Sequence, residues 1–436
     1  MKQQLHKLIE TGFFHVFGSN VLNKIMQFAS GIFIVRILSQ AEYGTFTYAQ
    51  NIIAFFLLLN GFGIMQGLLQ FGSKAETVGE RDQYLKYALK ISFVATLVLM
   101  LGIAAYYVLG DFISEKAKFV FLLMIFSPAM LLLNDCIQIK NRIDLNNQRM
   151  AKFSNLNTFT NLAGMMIGGY FYGAIGIVIG KYIGNLISVA FFYKSVTYVL
   201  WKWHKIPNID KLQRKEMRNF SLIAMMNNSV AELLYLIDVF LIGLLLVNDV
   251  IIAQYKTATL IPTALSFIPM SLMIYVYPYF ARNSADKEWV YTKYKQMLLG
   301  LGAINFLISA GLIVLAEPLV VILFGEQYRE IIPLFQVLAI GYFFAGTFRI
   351  PSGNILASIG EIKYNFYTSI ISGAINIILS IALINLMGPM GAAIATVSVF
   401  IVAGFMGNWI IFRKINPKLN PEVVEEIENY SVDIHD

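Results

Sequence analysis

Charge is scarce in this chain. Only 14% of its 436 residues are Asp, Glu, Lys or Arg, against roughly 25% in an ordinary soluble domain. Cysteine is nearly absent, and the lone Cys136 excludes a disulfide framework and any multi-cysteine metal site. The four histidines, His6, His15, His204 and His435, lie far apart and form no ligand motif. No phosphate-binding Gly-x-x-x-x-Gly-Lys-[Ser/Thr] loop occurs. Gly176 with Gly180-Lys181 comes nearest, but its spacing is wrong and Tyr182 follows the lysine. No cofactor or metal site is expected, and no polar stretch is long enough for a separate catalytic domain.

Apolar side chains fill the space left by charge. They make up 57% of the residues, and mean hydropathy is +0.65. A soluble fold of this size could not hide that surface, so lipid is the natural solvent. Twelve runs approach the roughly 20 residues that a helical span needs: 14–36, 45–71, 85–109, 118–140, 152–172, 174–196, 219–247, 251–280, 295–316, 330–356, 364–387 and 389–412. Their unbroken character argues against a β-barrel. The first run is too long for a cleavable signal, and no small-residue cleavage site follows it.

Lysine and arginine set the orientation. With the N-terminus cytoplasmic, 25 of the 33 fall in inside loops and three outside (Lys116, Lys118, Arg329); five lie in or at the edges of spans (Lys24, Arg36, Lys181, Lys256, Arg349). Both termini are thus expected inside, in a multi-pass protein. Membrane insertion accounts for the basic loops, so the net charge of +7 calls for no nucleic acid.

The longest polar stretch between spans, Trp201 to Arg218, divides the spans six and six. Short matches recur across it in order. Gly44-Thr45-Phe46-Thr47-Tyr48-Ala49 resembles Ala253-Gln254-Tyr255-Lys256-Thr257-Ala258, 209 positions on. Tyr84-Leu85-Lys86-Tyr87 resembles Tyr291-Thr292-Lys293-Tyr294 at 207, and Gly173-Ala174-Ile175-Gly176 resembles Gly388-Pro389-Met390-Gly391 at 215. An internal repeat of two parallel halves follows. The expected fold is an all-α integral membrane protein, with twelve transmembrane helices in two six-helix lobes around a central cavity. The lobes are 1–200 and 219–413, joined by a basic cytoplasmic linker, 201–218. An acidic cytoplasmic tail, 414–436, closes the chain, with a helix start at Asn420-Pro421-Glu422.

The opening residues carry a more specific signal. Asn20-Val21-Leu22-Asn23-Lys24, then Val35-Arg36-Ile37-Leu38-Ser39-Gln40-Ala41-Glu42-Tyr43-Gly44-Thr45-Phe46, resembles the start of Wzx-type polysaccharide biosynthesis proteins. These are O-antigen and capsule repeat-unit flippases of the multidrug/oligosaccharidyl-lipid/polysaccharide exporter superfamily. The resemblance implies a transporter, not an enzyme. Its substrate would be an undecaprenyl-pyrophosphate-linked oligosaccharide, moved from the cytoplasmic to the periplasmic leaflet of a bacterial inner membrane. An H+ or Na+ gradient would drive it, with membrane lipids and polysaccharide polymerase machinery as partners.

An ionisable group at membrane depth costs roughly 2.5–3.5 kcal/mol on insertion scales and usually faces a cavity or a partner. Lys24, Lys181, Lys256 and Arg349 are the candidate cations for the pyrophosphate. Asn20, Lys24 and Gln27 share one helical face, with Asn23 beside them. Snorkelling to the interface is the competing reading for Lys181, Arg349 and especially Lys256. Asp135, Glu232 and Asp238 are candidates for ion coupling or for pairing with a cavity cation. Glu232 and Asp238 are turned about 120° apart on a helix, so they form no carboxylate pair. Pro262, Pro269 and Pro278 in the eighth span are candidate hinges for alternating access, and Pro128 and Pro351 interrupt two other spans. Three rival readings are a cation-coupled drug exporter of the same superfamily, a peptidoglycan-precursor flippase and a membrane-embedded polysaccharide polymerase. The exporter would favour acids in its site, and the polymerase would need a large outer loop.

Overall fold

The computed structural model describes residues 13–194, 197 and 201–415, and regular structure among them is helical. The acidic tail from Asn416 onward lies outside the described residues. Nine helical stretches among the described residues are long and apolar enough to cross a membrane, which makes this a multi-pass membrane protein. One stretch, Asn147–Phe192, turns back on itself and supplies two legs. The helices Phe13–Ile37 and Lys211–Leu246 fall outside the nine; both carry charged side chains within them. The chain separates into two compact units, Met1–Ala253 and Gln254–Asp436.

In the first unit, α1 (Phe13–Ile37) packs along α7 (Asn147–Phe192). Ser19 donates to Asn155 Oδ1 at 2.6 Å and Asn23 to Ser154 Oγ at 2.7 Å. Between these two lie α2 (Gln40–Leu57), α3 (Ile64–Gly72), α4 (Val78–Leu109), α5 (Glu115–Leu123) and α6 (Ser127–Ile143). Ser39 caps α2 by accepting the Glu42 N–H at 3.3 Å. A kink at Gly61-Phe62-Gly63, all with positive φ, separates α2 from α3. Helix α8 (Lys211–Leu246) packs on this kink, and Ser229 donates to the freed Leu58 carbonyl at 2.9 Å. The helix that the sequence divides off as the start of a second lobe therefore packs within the first unit.

The basic linker is a docked segment. Ile206 and Ile209 are buried in one apolar cluster with Leu68, Leu85 and Met217. Lys86 donates to the Ile206 carbonyl at 2.7 Å. Close by in chain order, Lys140 sits 2.7 Å from Asp144 and 3.9 Å from Asp82, and Arg81 is 3.6 Å from Asp144.

The α7 hairpin depends on glycine. Its turn needs Gly173 at φ 57°, and its legs touch backbone to backbone where Gly164 faces Gly180 and Gly168 faces Gly176. A methyl group at any of these four would strike the facing carbonyl.

The second unit repeats these devices. Its first span is broken between α9 (Asp249–Leu265) and α10 (Phe267–Arg282). Pro269 has no N–H for the Leu265 carbonyl and its ring crowds that position, so the helical ladder is interrupted at Ser266. Helix α11 (Lys287–Val314) is capped by Asp286, which accepts the Trp289 N–H at 2.9 Å. Thr77 caps α4 in the same way, 209 positions earlier, accepting from Glu80 at 3.1 Å. After α12 (Ala316–Phe324), α13 (Ile332–Phe344) starts from a 3₁₀ turn with proline at its first positions, as α6 does. A π-turn, Ala345–Arg349, leads into α14 (Ile350–Ser358). Finally α15 (Ile362–Met387) and α16 (Pro389–Ile415) form a hairpin at Gly388, whose φ 59°, ψ −139° nearly equals the φ 57°, ψ −141° of Gly173.

Candidate functional site

Membrane depth makes any polar concavity informative, because lipid offers no hydrogen bonds. The first unit holds one of about 210 Å³. Its polar lining comes from four helical stretches: Gln50 on α2, Asn134 on α6, and Asn161, Lys181, Tyr182 and Asn185 on the two legs of α7. Phe46, Met130 and Val178 supply apolar walls. No acidic residue among the described ones lines it. Lys181 lies eight residues past the Gly173 turn, about 12 Å along the helix axis. It is exposed to this space and makes no hydrogen bond or ion pair among the described residues. Tyr182 is fixed by donating to the Leu123 carbonyl at 3.0 Å and lies 3.1 Å from Ser127 Oγ. A larger groove of about 500 Å³ follows the α7 hairpin, but glycine and apolar side chains line nearly all of it. Of these two, the smaller space therefore has the more polar lining.

The other candidates are distributed over both units. On α1, Asn20, Lys24 and Gln27 are all exposed. Asn23 is buried and turned to Ser154, so it serves the α1–α7 seam. Asp135 is half-buried, follows Asn134 on α6 and does not line the cavity. On α8, Glu232 is exposed whereas Asp238 is buried. In the second unit Lys256 is half-buried on α9, without an ion-pair partner among the described residues. Pro262 lies inside α9 and Pro278 inside α10, while Pro269 is buried near the start of α10.

Arg349 ends the π-turn, with its guanidinium 5.0 Å from the ring centre of Phe400. Pro351 explains the turn: without an N–H it leaves the Thr347 carbonyl unbonded, and the helix widens by one residue. Two buried networks hold it. Tyr342 donates to Asn305 at 2.9 Å and Asn305 to Thr347 at 3.2 Å. Tyr294 donates to Asn408 at 2.7 Å, and Asn408 reaches the Phe348 carbonyl at 3.2 Å. Sequence reasoning centred on charge and passed over Gln50, Asn134, Asn161, Asn185, Asn305 and Asn408. The available signal was an amide within an apolar run, the same anomaly as a charge at lower amplitude.

These features define a multi-pass helical membrane protein built from two units that repeat the same caps, breaks and hairpin turns. Solved structures share the fold. A multidrug resistance MATE family transporter of the MOP superfamily, in its inward-facing conformation, superposes with a TM-score of 0.67 at 13% identity, covering 90% of this chain and 94% of that one. The lipid II flippase MurJ, in an inward closed conformation, gives 0.71 at 16%, covering 91% and 87%. A sequence model described as polysaccharide biosynthesis protein matches residues 33–333, and the chain belongs to that family. The teichuronic acid biosynthesis protein TuaB of Bacillus subtilis (strain 168) is 23% identical over 298 residues, 66% of this chain. The chain spans 59% of the length of that curated relative.

Proposed function

We propose that this protein is a flippase. It carries an undecaprenyl-pyrophosphate-linked oligosaccharide from the cytoplasmic to the periplasmic leaflet of a bacterial inner membrane, with both termini cytoplasmic. The observation that carries this reading is Lys181, a cation that has no partner among the described residues and lines a cavity with no acid among them, at membrane depth. A pyrophosphate cannot cross about 30 Å of hydrocarbon bare. Fixed cations replace the hydration of the cargo's anionic groups, Lys24, Lys256 and Arg349 at the diphosphate and Lys181 in the first unit's cavity, and a guanidinium such as that of Arg349 offers phosphate paired donors. The lipid tail stays in the bilayer. Asp135, Glu232 and Asp238 are the groups available to an H+ or Na+ gradient, and the break before Pro269 gives the eighth span its hinge.

The family description and the teichuronic acid relative support a saccharide cargo, and the likeness to a lipid II flippase supports a lipid-linked one. A cation-drug exporter would line its cavity with carboxylates, and the cavity here has none among the described residues. The test is the fate of the lipid-linked intermediate in a deletion strain. Accumulation in the inner leaflet, relieved by this chain, is the expected result. Single repeats reaching the outside unpolymerised would point to a polymerase instead.

A further inference from the structure

Five side chains around the first unit's cavity have hydrogen-bonding capacity that the protein does not use. Asn134 and Asn185 are 9% and 3% exposed, and their amides make no hydrogen bond among the described residues. Asn161 donates to Asn157 at 3.0 Å, but its own carbonyl oxygen is buried without a donor. Gln50 and Lys181 line the same space without partners among the described residues. Buried polar groups in native proteins are almost always paired, and an unmet one is costly. Four amides and an ammonium converging on one space mark a place for something that both donates and accepts.

Size, charge and walls narrow the class. A space of about 210 Å³ far exceeds what one water needs and admits a six-membered sugar ring. Among the described residues the lining carries one positive charge and no negative one, which repels a metal cation and favours one carboxylate. Amides suit vicinal hydroxyls, since each offers donors and an acceptor. Phe46, Met130 and Val178 suit the C–H face of a ring.

We propose that this cavity is a subsite for a single hexuronate ring of the transported saccharide: Lys181 pairs with the sugar carboxylate, while Gln50, Asn134, Asn161 and Asn185 bond its hydroxyls. The origin of the sugar in the cargo rests on the flippase reading; its binding by the purified chain does not.

The experiment is ligand-observed NMR on the full-length protein in nanodiscs. Its probes are methyl β-D-glucuronide, methyl β-D-glucoside and sodium acetate. The glucuronide should bind about tenfold or more tightly than the glucoside, the worth of one charge-assisted pair. Lys181→Met should erase that preference, and Lys181→Arg should keep part of it. Asn185→Leu should weaken both sugars alike. Circular dichroism and thermal melting identify variants that remain folded. Equal binding of the two sugars, displacement of the glucuronide by equimolar acetate, or no binding by the wild-type chain would each overturn the subsite. If the chain restores polymer export but binds no glucuronide, the subsite fails and the flippase reading stands. If it binds glucuronide but no inner-leaflet intermediate accumulates in the deletion strain, the flippase reading fails and the binding site stands.

Discussion

Tyr294 donates a 2.7 Å hydrogen bond to Asn408, and this pair braces the π-turn that carries Arg349. Both side chains are buried, so neither can turn to water instead. Tyr294→Phe should cost about 1 kcal/mol. Asn408→Leu should cost more, because it strands the Tyr294 hydroxyl and removes the donor to Phe348. Thermal unfolding in detergent measures the stability, and surface polymer measures the consequence for Arg349.

Lys24→Gln combined with Arg349→Gln should abolish surface polymer without lowering protein levels. Removing two fixed cations leaves the diphosphate poorly solvated during crossing. Immunoblots of membranes beside polymer gels separate transport from expression. Normal polymer in the double variant would sink the proposal that these cations act on the cargo.

Gly180→Val should prevent the α7 hairpin from closing, since its side chain meets the Gly164 backbone. Overpacking of this kind typically costs 1–3 kcal/mol, and here the obstacle is backbone, which yields least. Gly300→Ala is the contrast: nothing lies within 4 Å of its added methyl group. It should stabilise α11 by up to about 1 kcal/mol. Melting temperatures of the two variants should move in opposite directions.

Lys140→Met should destabilise the first unit by roughly 3 kcal/mol, because buried Asp82 would lose its nearest cation. Adding Asp82→Asn to that variant should recover much of the loss. A double-mutant cycle in thermal or denaturant unfolding measures the coupling.

Pro269→Ala should let α9 and α10 join into a straighter helix. Protein level should hold or rise while polymer export falls. Export at the wild-type rate would remove the eighth-span break from the mechanism.

Much of the architecture was legible because lipid imposes simple rules. An apolar run of about 20 residues is readable by length alone. The turn at Gly173 and its counterpart at Gly388 could be matched from four-residue strings, and their backbone angles agree within a few degrees. Lys181 stood out because charge at depth is rare. The amides around it did not, since Asn134 and Asn185 are separated by 51 positions and meet only when α6 packs on α7. Likewise, Asn23 read as a neighbour of Lys24, but packing turned it to Ser154. The linker read as a basic stretch between two lobes; Ile206 and Ile209 pack it into an apolar cluster of the first unit.

The sequence by itself determined the solvent, the helical class, the repeated punctuation by glycine and proline, and the family. Those properties follow from local composition and backbone sterics, which act over a few residues. Tertiary structure alone decided which polar groups are paired and which are left facing a cavity. That distinction depends on distances between remote helices, and no spacing along a single chain encodes it.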